Sequence, residues 1–222
     1  MREGDGMIFK AILSGILISI GCCLYATIGG VMGAFLFSLG LLSICLYKLK
    51  LYTGSVGLFL TNPRDDDNIF SFLKRDILWL TGIFIGNALG CIILWCIVYL
   101  GKLDCLSSLV QIANAKLAMP FPEVFVKAVL CGGLMELGVN RWRYEQEVCK
   151  HFKSVDFSRS VVTIMAVMAF ILLGAEHSVP DTFYLSFMTS WSYLKYSLFI
   201  AVCAIGNGLG AVITYRCIGE GK

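Results

Sequence analysis

The chain has 222 residues, of which 58% are hydrophobic and 15% are charged, and its mean hydropathy is +0.79. This composition is typical of a polytopic membrane protein and excludes an ordinary soluble domain. The net charge of +3 is spread over the loops without a basic block, which excludes nucleic acid as a partner. Most of the ten cysteines lie inside apolar runs, and no Cys-x-x-Cys or Cys/His cluster occurs, so no metal site and no cofactor are predicted.

Six apolar stretches follow one another along the chain, and each is near the ~20 residues that a bilayer requires. The second and the fifth are interrupted by polar residues. We therefore predict an all-α membrane protein with six transmembrane helices, in which residues 1–222 form one transmembrane domain. The predicted spans are Ile8–Ile28, Val31–Tyr47 with a short re-entrant continuation to Leu60, Ile77–Leu100, Val124–Val139, Val161–Leu173 continuing past a break to Phe187, and Leu194–Ile213.

The interruption of the fifth span, at 174–183, combines a glycine, a Glu-His pair and a proline. Pro180 has no backbone N–H and clashes with the preceding turn, so a regular helix is not expected to continue through it. Broken helices at membrane depth are tolerated where they face protein or a water-filled cavity, and an ionisable residue there indicates a functional site. We therefore predict a site at His177. The alternatives are a core histidine with satisfied hydrogen bonds, or a loop that joins two short helices.

An internal repeat relates the two halves of the chain. The sequence KAILSGILISIG of the first span, at Lys10–Gly21, is similar to KAVLCGGLMELG of the fourth span, at Lys127–Gly138. The sequence IGNALG of the third span, at Ile85–Gly90, is similar to IGNGLG of the sixth span, at Ile205–Gly210. The Gly-Asn motifs alone also fit close helix packing through small residues.

The interrupted spans occupy equivalent places in the two repeats. The second span is interrupted at 48–55, where two lysines and a Thr-Gly-Ser sequence are unsuited to lipid. Three spans in each half, at about 8–100 and 124–216, give the halves opposite orientations. An inverted 3+3 repeat with paired broken helices predicts a transport site at the interface of the repeats.

Counts of lysine and arginine predict that both termini are cytoplasmic, since basic residues are enriched in cytoplasmic loops. We therefore expect a multi-pass protein of the cell (inner) membrane, with an uncleaved first span. The side assigned to the cytoplasm carries Arg2, Lys10, Arg64, Lys74, Arg75, Arg141, Arg143, Lys150, Lys153, Arg159, Arg216 and Lys222. The opposite side carries Lys102, Lys116 and Lys195.

Four sequence motifs together resemble the formate/nitrite transporter family, over nearly the whole chain. Gly-Ala-Glu-His-Ser at Gly174–Ser178 is similar to the Gly-Phe-Glu-His-Ser signature of the family's fifth span. Leu-Tyr-Thr-Gly-Ser at Leu51–Ser55 resembles its Leu-Phe-Thr-Gly loop. The segment Ala115–Phe125 resembles its vestibule-lysine segment, and Ile-Gly-Asn at Ile205–Asn207 matches its sixth-span motif.

The resemblance implies a homopentamer of independent pores in the bilayer, each pore in an aquaporin-like protomer of six spans. Each pore is expected to pass a small monovalent anion such as formate, nitrite or hydrosulfide, often with a proton. The implied substrate-pore residues are the central histidine His177, Thr53 facing it, the vestibule lysine Lys116, and Glu176 and Ser178 of the signature. The implied constriction residues are Leu41 and Tyr52 on the cytoplasmic side, and Met135 and Phe170 on the periplasmic side.

The chemistry of these residue types fits anion transport. A bare anion is costly to desolvate in a narrow apolar passage. A lysine such as Lys116 concentrates anions at a mouth, a histidine titrates near neutrality and can donate to the anion, and a threonine hydroxyl can orient it. The alternatives are an ordinary loop lysine at Lys116, and lipid-facing or core positions for Tyr52, Phe170 and Met135.

Several positions depart from the family pattern, and they concern substrate and gating rather than fold. Gly132 and Phe199 stand where the family often has asparagine, and Glu136 is an additional carboxylate. Pro-Asp-Thr at 180–182 replaces the usual Ala-Asn-Met. The two lysines of the first interruption replace an acidic residue. These two lysines, Lys48 and Lys50, are expected either to pair with Glu136 or Glu176 or to lie on the wall of the cytoplasmic vestibule.

Two other functions compete with anion transport. An intramembrane enzyme that uses His177 and Glu176 is disfavoured, because the second histidine, His151, lies in a basic loop and no nucleophile or metal motif occurs. A transport-inactive membrane scaffold is the other alternative, and the departures from the family pattern motivate it. We predict that the protein is not an enzyme.

Overall fold

The computed structural model describes residues 3–59, 69–143, 153–189 and 192–218. Within these ranges the chain forms nine helices and no strand. In chain order they are α1 (Glu3–Ile28), α2 (Gly30–Leu46), α3 (Val56–Phe59), α4 (Ile69–Gly101), α5 (Leu106–Ala118), α6 (Phe121–Arg143), α7 (Lys153–Leu172), α8 (Ser178–Leu185) and α9 (Tyr193–Ile218). The predicted end of the re-entrant segment at Leu60 lies outside the described residues, as do Arg2, Arg64, Lys150, His151 and Lys222.

Three described helical segments are long and apolar enough to cross a bilayer: Gly6–Ile28, Lys74–Gly101 and Tyr193–Ile218. They coincide with the first, third and sixth predicted spans. The pair α5 and α6, bent by 114°, would count as a fourth if both parts formed one span. Large apolar side chains are exposed along these helices, Leu100 and Val126 among them, as expected where lipid is the solvent. The count of six spans stays a prediction.

The helix break in the second half of the chain lies between Leu172, the last residue of α7, and Ser178, the first residue of α8. Gly174 has a φ of +63°, which favours glycine, and His177 is extended. Pro180 lies inside the first turn of α8, where its missing N–H would have no helical partner in any case. The expectation that Pro180 interrupts the helix is therefore wrong, because the backbone changes direction before it.

Helices α1 and α4 touch backbone to backbone. A Cβ atom added at Gly15 would overlap the carbonyl of Asn87, and one added at Gly90 would overlap the carbonyl of Ile12. Helices α6 and α9 pack in the same way. This close packing explains why the similar segments of the repeat combine small residues with an asparagine.

The corresponding overlaps in the second half involve Gly132 with the carbonyl of Asn207, and Gly210 with the carbonyl of Val129. Gly132, one of the departures from the family pattern, is thus the counterpart of a glycine in α1. Helices α2 and α7 pack against each other and link the pair α1–α4 to the pair α6–α9, since α2 also packs on α1 and α7 on α6.

Candidate pore site

Asn87 in α4 holds the loop between α2 and α3. Its side-chain oxygen accepts a hydrogen bond from the N–H of Tyr52 at 2.9 Å, and its amide nitrogen donates to the carbonyl of Lys50 at 2.9 Å. The same nitrogen donates to the carbonyl of Ala11 in α1 at 2.8 Å. Asn87 is buried, and its amide supplies hydrogen-bond partners to backbone groups of a partly buried loop.

Asn207 in α9 does the same for the loop between α7 and α8. Its side-chain oxygen accepts from the N–H of Ser178 at 2.9 Å, and its amide nitrogen donates to the carbonyl of Glu176 at 2.9 Å and to that of Ala128 in α6 at 2.9 Å. Both asparagines were predicted from the sequence only as parts of repeat and packing motifs, and this function was not predicted. The signal for it was the presence of an amide side chain at equivalent positions of two apolar helices.

The two loops meet at Thr53 and His177. The hydroxyl oxygen of Thr53 is 2.9 Å from Nε2 of His177, and both residues are buried. The N–H of Val179 donates to Nδ1 of His177 at 3.3 Å. Because Nδ1 is an acceptor, the proton of the neutral ring lies on Nε2 and is donated to Thr53. The hydroxyl hydrogen of Thr53 then remains for another acceptor.

Two cavities lie on either side of this contact. The acidic cavity, of about 280 Å³, is lined by residues that include Lys116, Phe170, Glu176, His177 and Asp181. The basic cavity, of about 270 Å³, is lined by residues that include Leu41, Lys48, Lys50, Leu51 and Gly54. Because His177 lines the first cavity and the neighbours of Thr53 line the second, the Thr53–His177 contact separates the two.

Apolar side chains surround the contact. The ring of Phe170 lies 5.6 Å from that of His177 and 5.8 Å from that of Phe37, with which it forms an edge-to-face pair. Leu41 is buried and lines the basic cavity. Met135 is buried in the same hydrophobic core but lines neither cavity, so its contribution to a constriction stays a prediction.

Tyr52 points away from both cavities. Its hydroxyl donates to the carbonyl of Ala204 in α9 at 3.1 Å, and its ring forms an edge-to-face pair with Phe84 in α4 at 5.3 Å. It lines a third, apolar cavity of about 560 Å³ between α4 and α9. A phenol that is mostly buried needs an acceptor, and the carbonyl of Ala204 provides one. The structure therefore does not bring Tyr52 and Leu41 together at one constriction.

Lys116 lies in the last turn of α5 and is tied to two carboxylates. Its ammonium is 2.5 Å from Oε2 of Glu176 and 2.8 Å from Oδ1 of Asp181. The thiol of Cys203 donates to the other oxygen of Asp181 at 3.3 Å. The ring of Tyr184 lies 5.6 Å from the same ammonium. Lys116 is thus an ion-paired lysine at the wall of the acidic cavity, and sequence analysis missed the role of Asp181.

Three other charged residues were noted in the sequence. Two of them lie across the Thr53–His177 contact from Lys116, and the third lies in the core. Lys48 and Lys50 line the basic cavity, and the ammonium of Lys50 lies 5.4 Å from the ring centre of Trp79. Glu136 is buried and accepts a hydrogen bond from the side chain of Asn140 at 3.1 Å.

Ser178 is fully buried and lines neither of the two cavities next to the histidine. Its backbone N–H is bound by Asn207, whereas its hydroxyl has no hydrogen-bond partner in the part of the chain that the structure describes. The structure therefore gives Ser178 a backbone role at the start of α8, and a substrate contact through its hydroxyl stays a prediction.

Long apolar helices and two loops that meet between two cavities define a multi-pass helical membrane protein. A sequence model of the family described as "Formate/nitrite transporter" matches residues 2–218, and the chain belongs to this family. The family assignment confirms the resemblance, and it places the chain among transporters rather than enzymes.

Solved structures show the same fold. A structure described as "Pentameric formate channel with formate bound" is 22% identical, with a TM-score of 0.69, and the match covers 99% of this chain and 94% of that one. A structure described as "FNT family ion channel" is 20% identical, with a TM-score of 0.75, covering 96% of this chain and 88% of that one. Comparison with curated protein sequences gives no match.

Proposed function

We propose that the protein is a membrane channel or transporter for a small monovalent weak-acid anion, formate or nitrite, and that His177 couples its passage to proton transfer. The observation that carries the proposal is the buried Thr53–His177 contact between two cavities. The family assignment and the fold shared with a structure described as a formate channel support the class of substrate.

The proposed architecture is one transmembrane domain with six spans in an inverted 3+3 repeat. In it, α2 with α3 and α7 with α8 are the broken second and fifth spans. Support comes from the two asparagines, since Asn87 and Asn207 each tie a loop to the first helix of its own half through the same three hydrogen bonds. The known geometry of inverted-repeat transporters, with a site between two broken helices, fits this arrangement.

In the proposed mechanism the anion reaches His177 from one of the cavities and replaces Thr53 as the acceptor of the Nε2 proton. The apolar side chains of Phe37, Phe170 and Leu41 exclude bulk water there, so a charged anion faces a desolvation barrier that a neutral acid does not. The neutral ring first takes up a proton from the solvent at Nδ1, which releases the N–H of Val179. It then transfers its Nε2 proton to an oxygen of the anion, which leaves neutral acid and a neutral ring with its proton on Nδ1. The ring then regains a proton from the solvent.

The proposed assembly is a homopentamer in the inner membrane, with both termini in the cytoplasm. The fold shared with a structure described as pentameric supports the number of subunits, and the distribution of lysine and arginine supports the orientation. Native mass spectrometry of the purified protein tests the number of subunits. Labelling of cysteines introduced at the termini, in right-side-out vesicles, tests the orientation.

The direct test of the proposed function is a flux panel in proteoliposomes with formate, nitrite, hydrosulfide, acetate and lactate. We expect formate or nitrite to pass fastest and His177→Phe to reduce the flux to that of empty liposomes. Thr53→Ala, compared with Thr27→Ala at an exposed threonine of α1, tests the partner of the histidine. Faster passage of hydrosulfide would reassign the substrate, and no flux of any substrate would indicate a transport-inactive scaffold.

A further inference from the structure

Asp181 is a carboxylate that the proposed mechanism does not use. It lies in α8 with a relative exposure of 1%, and its two oxygens accept hydrogen bonds from Lys116 at 2.8 Å and from the thiol of Cys203 at 3.3 Å. The same ammonium of Lys116 is 2.5 Å from Glu176. One ammonium therefore holds two buried carboxylates, and all three side chains line the acidic cavity beside His177.

The charges of this cluster do not balance by themselves. Two ionised carboxylates and one ammonium carry a formal charge of −1, and one bound proton brings that charge to zero. His177 is neutral in this arrangement, because its Nδ1 accepts a hydrogen bond. Lys127 contacts Met119, which lines the acidic cavity, and is neutralised by its ion pair with Glu123 at 2.7 Å. Among the described residues, the other titratable groups near the cluster are thiols and phenols, which never become cations. They are Cys22 and Tyr25 of α1, Cys91 of α4, Cys131 of α6, Tyr184 of α8 and Cys203 of α9.

An anion in the acidic cavity interacts with this cluster at short range and in a largely apolar environment, where like charges repel strongly. When Asp181 and Glu176 are both ionised, the repulsion between these two carboxylates and the anion outweighs the attraction of Lys116 for the anion. With one proton on the pair, the cluster is neutral, and the ammonium and a carboxyl O–H are both available as hydrogen-bond donors.

We propose that Asp181 is a specificity-determining residue that makes the acidic cavity accept an anion only when the Glu176–Lys116–Asp181 cluster holds one proton. This inference rests on the proposed function, in that the anion is the transported substrate. The proton comes from the solvent on the side of the acidic cavity and stays on the carboxyl pair while the anion is there. The residue carries a role that is separate from that of His177, since it sets occupancy of the cavity rather than passage beyond it.

Nitrate is the probe for this proposal, because it stays ionised across the working pH range and reports on the charge of the cavity alone. Inhibition of formate uptake by nitrate is measured in proteoliposomes from neutral to mildly acidic pH. For the unmodified protein, the inhibition constant should fall as the pH falls. In Asp181→Asn, the remaining Glu176–Lys116 pair is neutral without a proton. We expect nitrate to inhibit roughly tenfold more strongly at neutral pH, since one negative charge beside the cavity is gone, and we expect little dependence on pH.

Asp104→Asn is the matched control, because it makes the same substitution at an exposed aspartate between α4 and α5 that lines neither cavity. It should leave both the inhibition constant and its pH dependence unchanged. An unchanged pH dependence in Asp181→Asn would place the proton on another group, His177 foremost, and would overturn the proposal.

Infrared spectroscopy tests the bound proton without any transport. The unmodified protein should gain the C=O band of a neutral, buried carboxylic acid as the pH falls from neutral to mildly acidic, and this gain should be absent in Asp181→Asn and in Glu176→Gln but present in Asp104→Asn. If either variant fails to fold, the spectrum of the unmodified protein still decides, since carboxylates that all stay ionised down to mildly acidic pH would overturn the proposal. If the protein gains the band but transports no anion, the proposed function is refuted, whereas the assignment of a bound proton to the cluster still holds.

Discussion

The two loops that meet at Thr53 and His177 are held by the same backbone contacts and carry opposite charges. Asn87 binds the carbonyl of Lys50 in the first loop, and Asn207 binds the carbonyl of Glu176 in the second. At equivalent positions, the first loop thus has a lysine and the second loop has a glutamate. The cavity beside the first loop is lined by lysines, and the cavity beside the second by two carboxylates and the lysine that they bind.

The comparison teaches that the framework and the chemistry of this molecule are separable. The framework requires an asparagine to hold each loop and glycines to let the helices touch, and both halves of the chain supply these. The hydrogen bonds to the loops use backbone atoms, so they do not restrict the side chains of the residues that they hold. Each loop is therefore free to carry the charge that its own cavity uses.

The largest effect is expected from removal of the asparagines. Asn87→Ala and Asn207→Ala each leave one N–H and one carbonyl of a loop without their amide partner, at a cost of about 1–3 kcal/mol for each unsatisfied group. Thermal unfolding in detergent should show a large and similar loss in both variants. Asn→Asp at either position keeps the acceptor but directs a buried, unpaired carboxylate at two carbonyl oxygens, and should destabilise the protein at least as much as Ala. A large loss in only one half would break the comparison.

Removal of Lys116 should have the next largest effect. Lys116→Ala leaves two buried carboxylates without their counter-ion, and breaking a buried ion pair in this way costs about 3–5 kcal/mol. We expect a lower unfolding temperature and a loss of flux at all anion concentrations that added salt does not change, because the charges are buried. An effect confined to low anion concentration and abolished by salt would instead assign Lys116 to an exposed vestibule surface.

Substitutions of His177 should change flux more than stability. His177→Phe fills the space without a donor and should reduce flux to the background of empty liposomes. His177→Asn keeps a hydrogen bond but cannot transfer a proton, so its flux should continue with a flatter pH profile. An unmodified pH profile at altered rate in His177→Asn would mean that the histidine only positions the substrate. If both variants keep the flux of the unmodified protein, His177 is a core residue without a role in transport.

The smallest effect is expected from Lys50, on the wall of the basic cavity. Lys50→Gln removes a partly exposed charge, so anion uptake from that side should fall only by roughly twofold, and less at high salt, since exposed charges are screened beyond about 10 Å at 0.1 M ionic strength. Lys195→Gln, at an exposed lysine in the first turn of α9, is the matched control. An equal effect of Lys50→Gln on uptake from both sides would remove the distinction between the two cavities.

The sequence predicted the parts of this molecule that local composition decides. Long apolar runs predicted the helices Gly6–Ile28, Lys74–Gly101 and Tyr193–Ile218, and the polar residues around His177 predicted the position of a helix break. The family resemblance, which the sequence model of the family confirms, supplied the pairing of Thr53 with His177, a pairing that lies within hydrogen-bond distance in the structure.

Contacts between distant parts of the chain were not predictable in this way. Asp181 was recognised only as a departure from a pattern, because its pairing with Lys116 requires α5 to fold back against α8. The direction of Tyr52 depends on a carbonyl of α9, which local sequence does not reveal. The role of Pro180 was misjudged, because its effect depends on whether it lies inside a helix or in its first turn.

The glycines at which backbones touch have a consequence for how this chain tolerates mutation. At Gly15, Gly90, Gly132 and Gly210 even a methyl group would overlap main-chain atoms of the facing helix, which cannot move aside as a flexible side chain would. A systematic substitution scan of the gene should therefore find that these four positions reject alanine as firmly as any larger residue. None of the four touches either cavity, so intolerance in such a scan would mark helix contact here and not the path of the substrate.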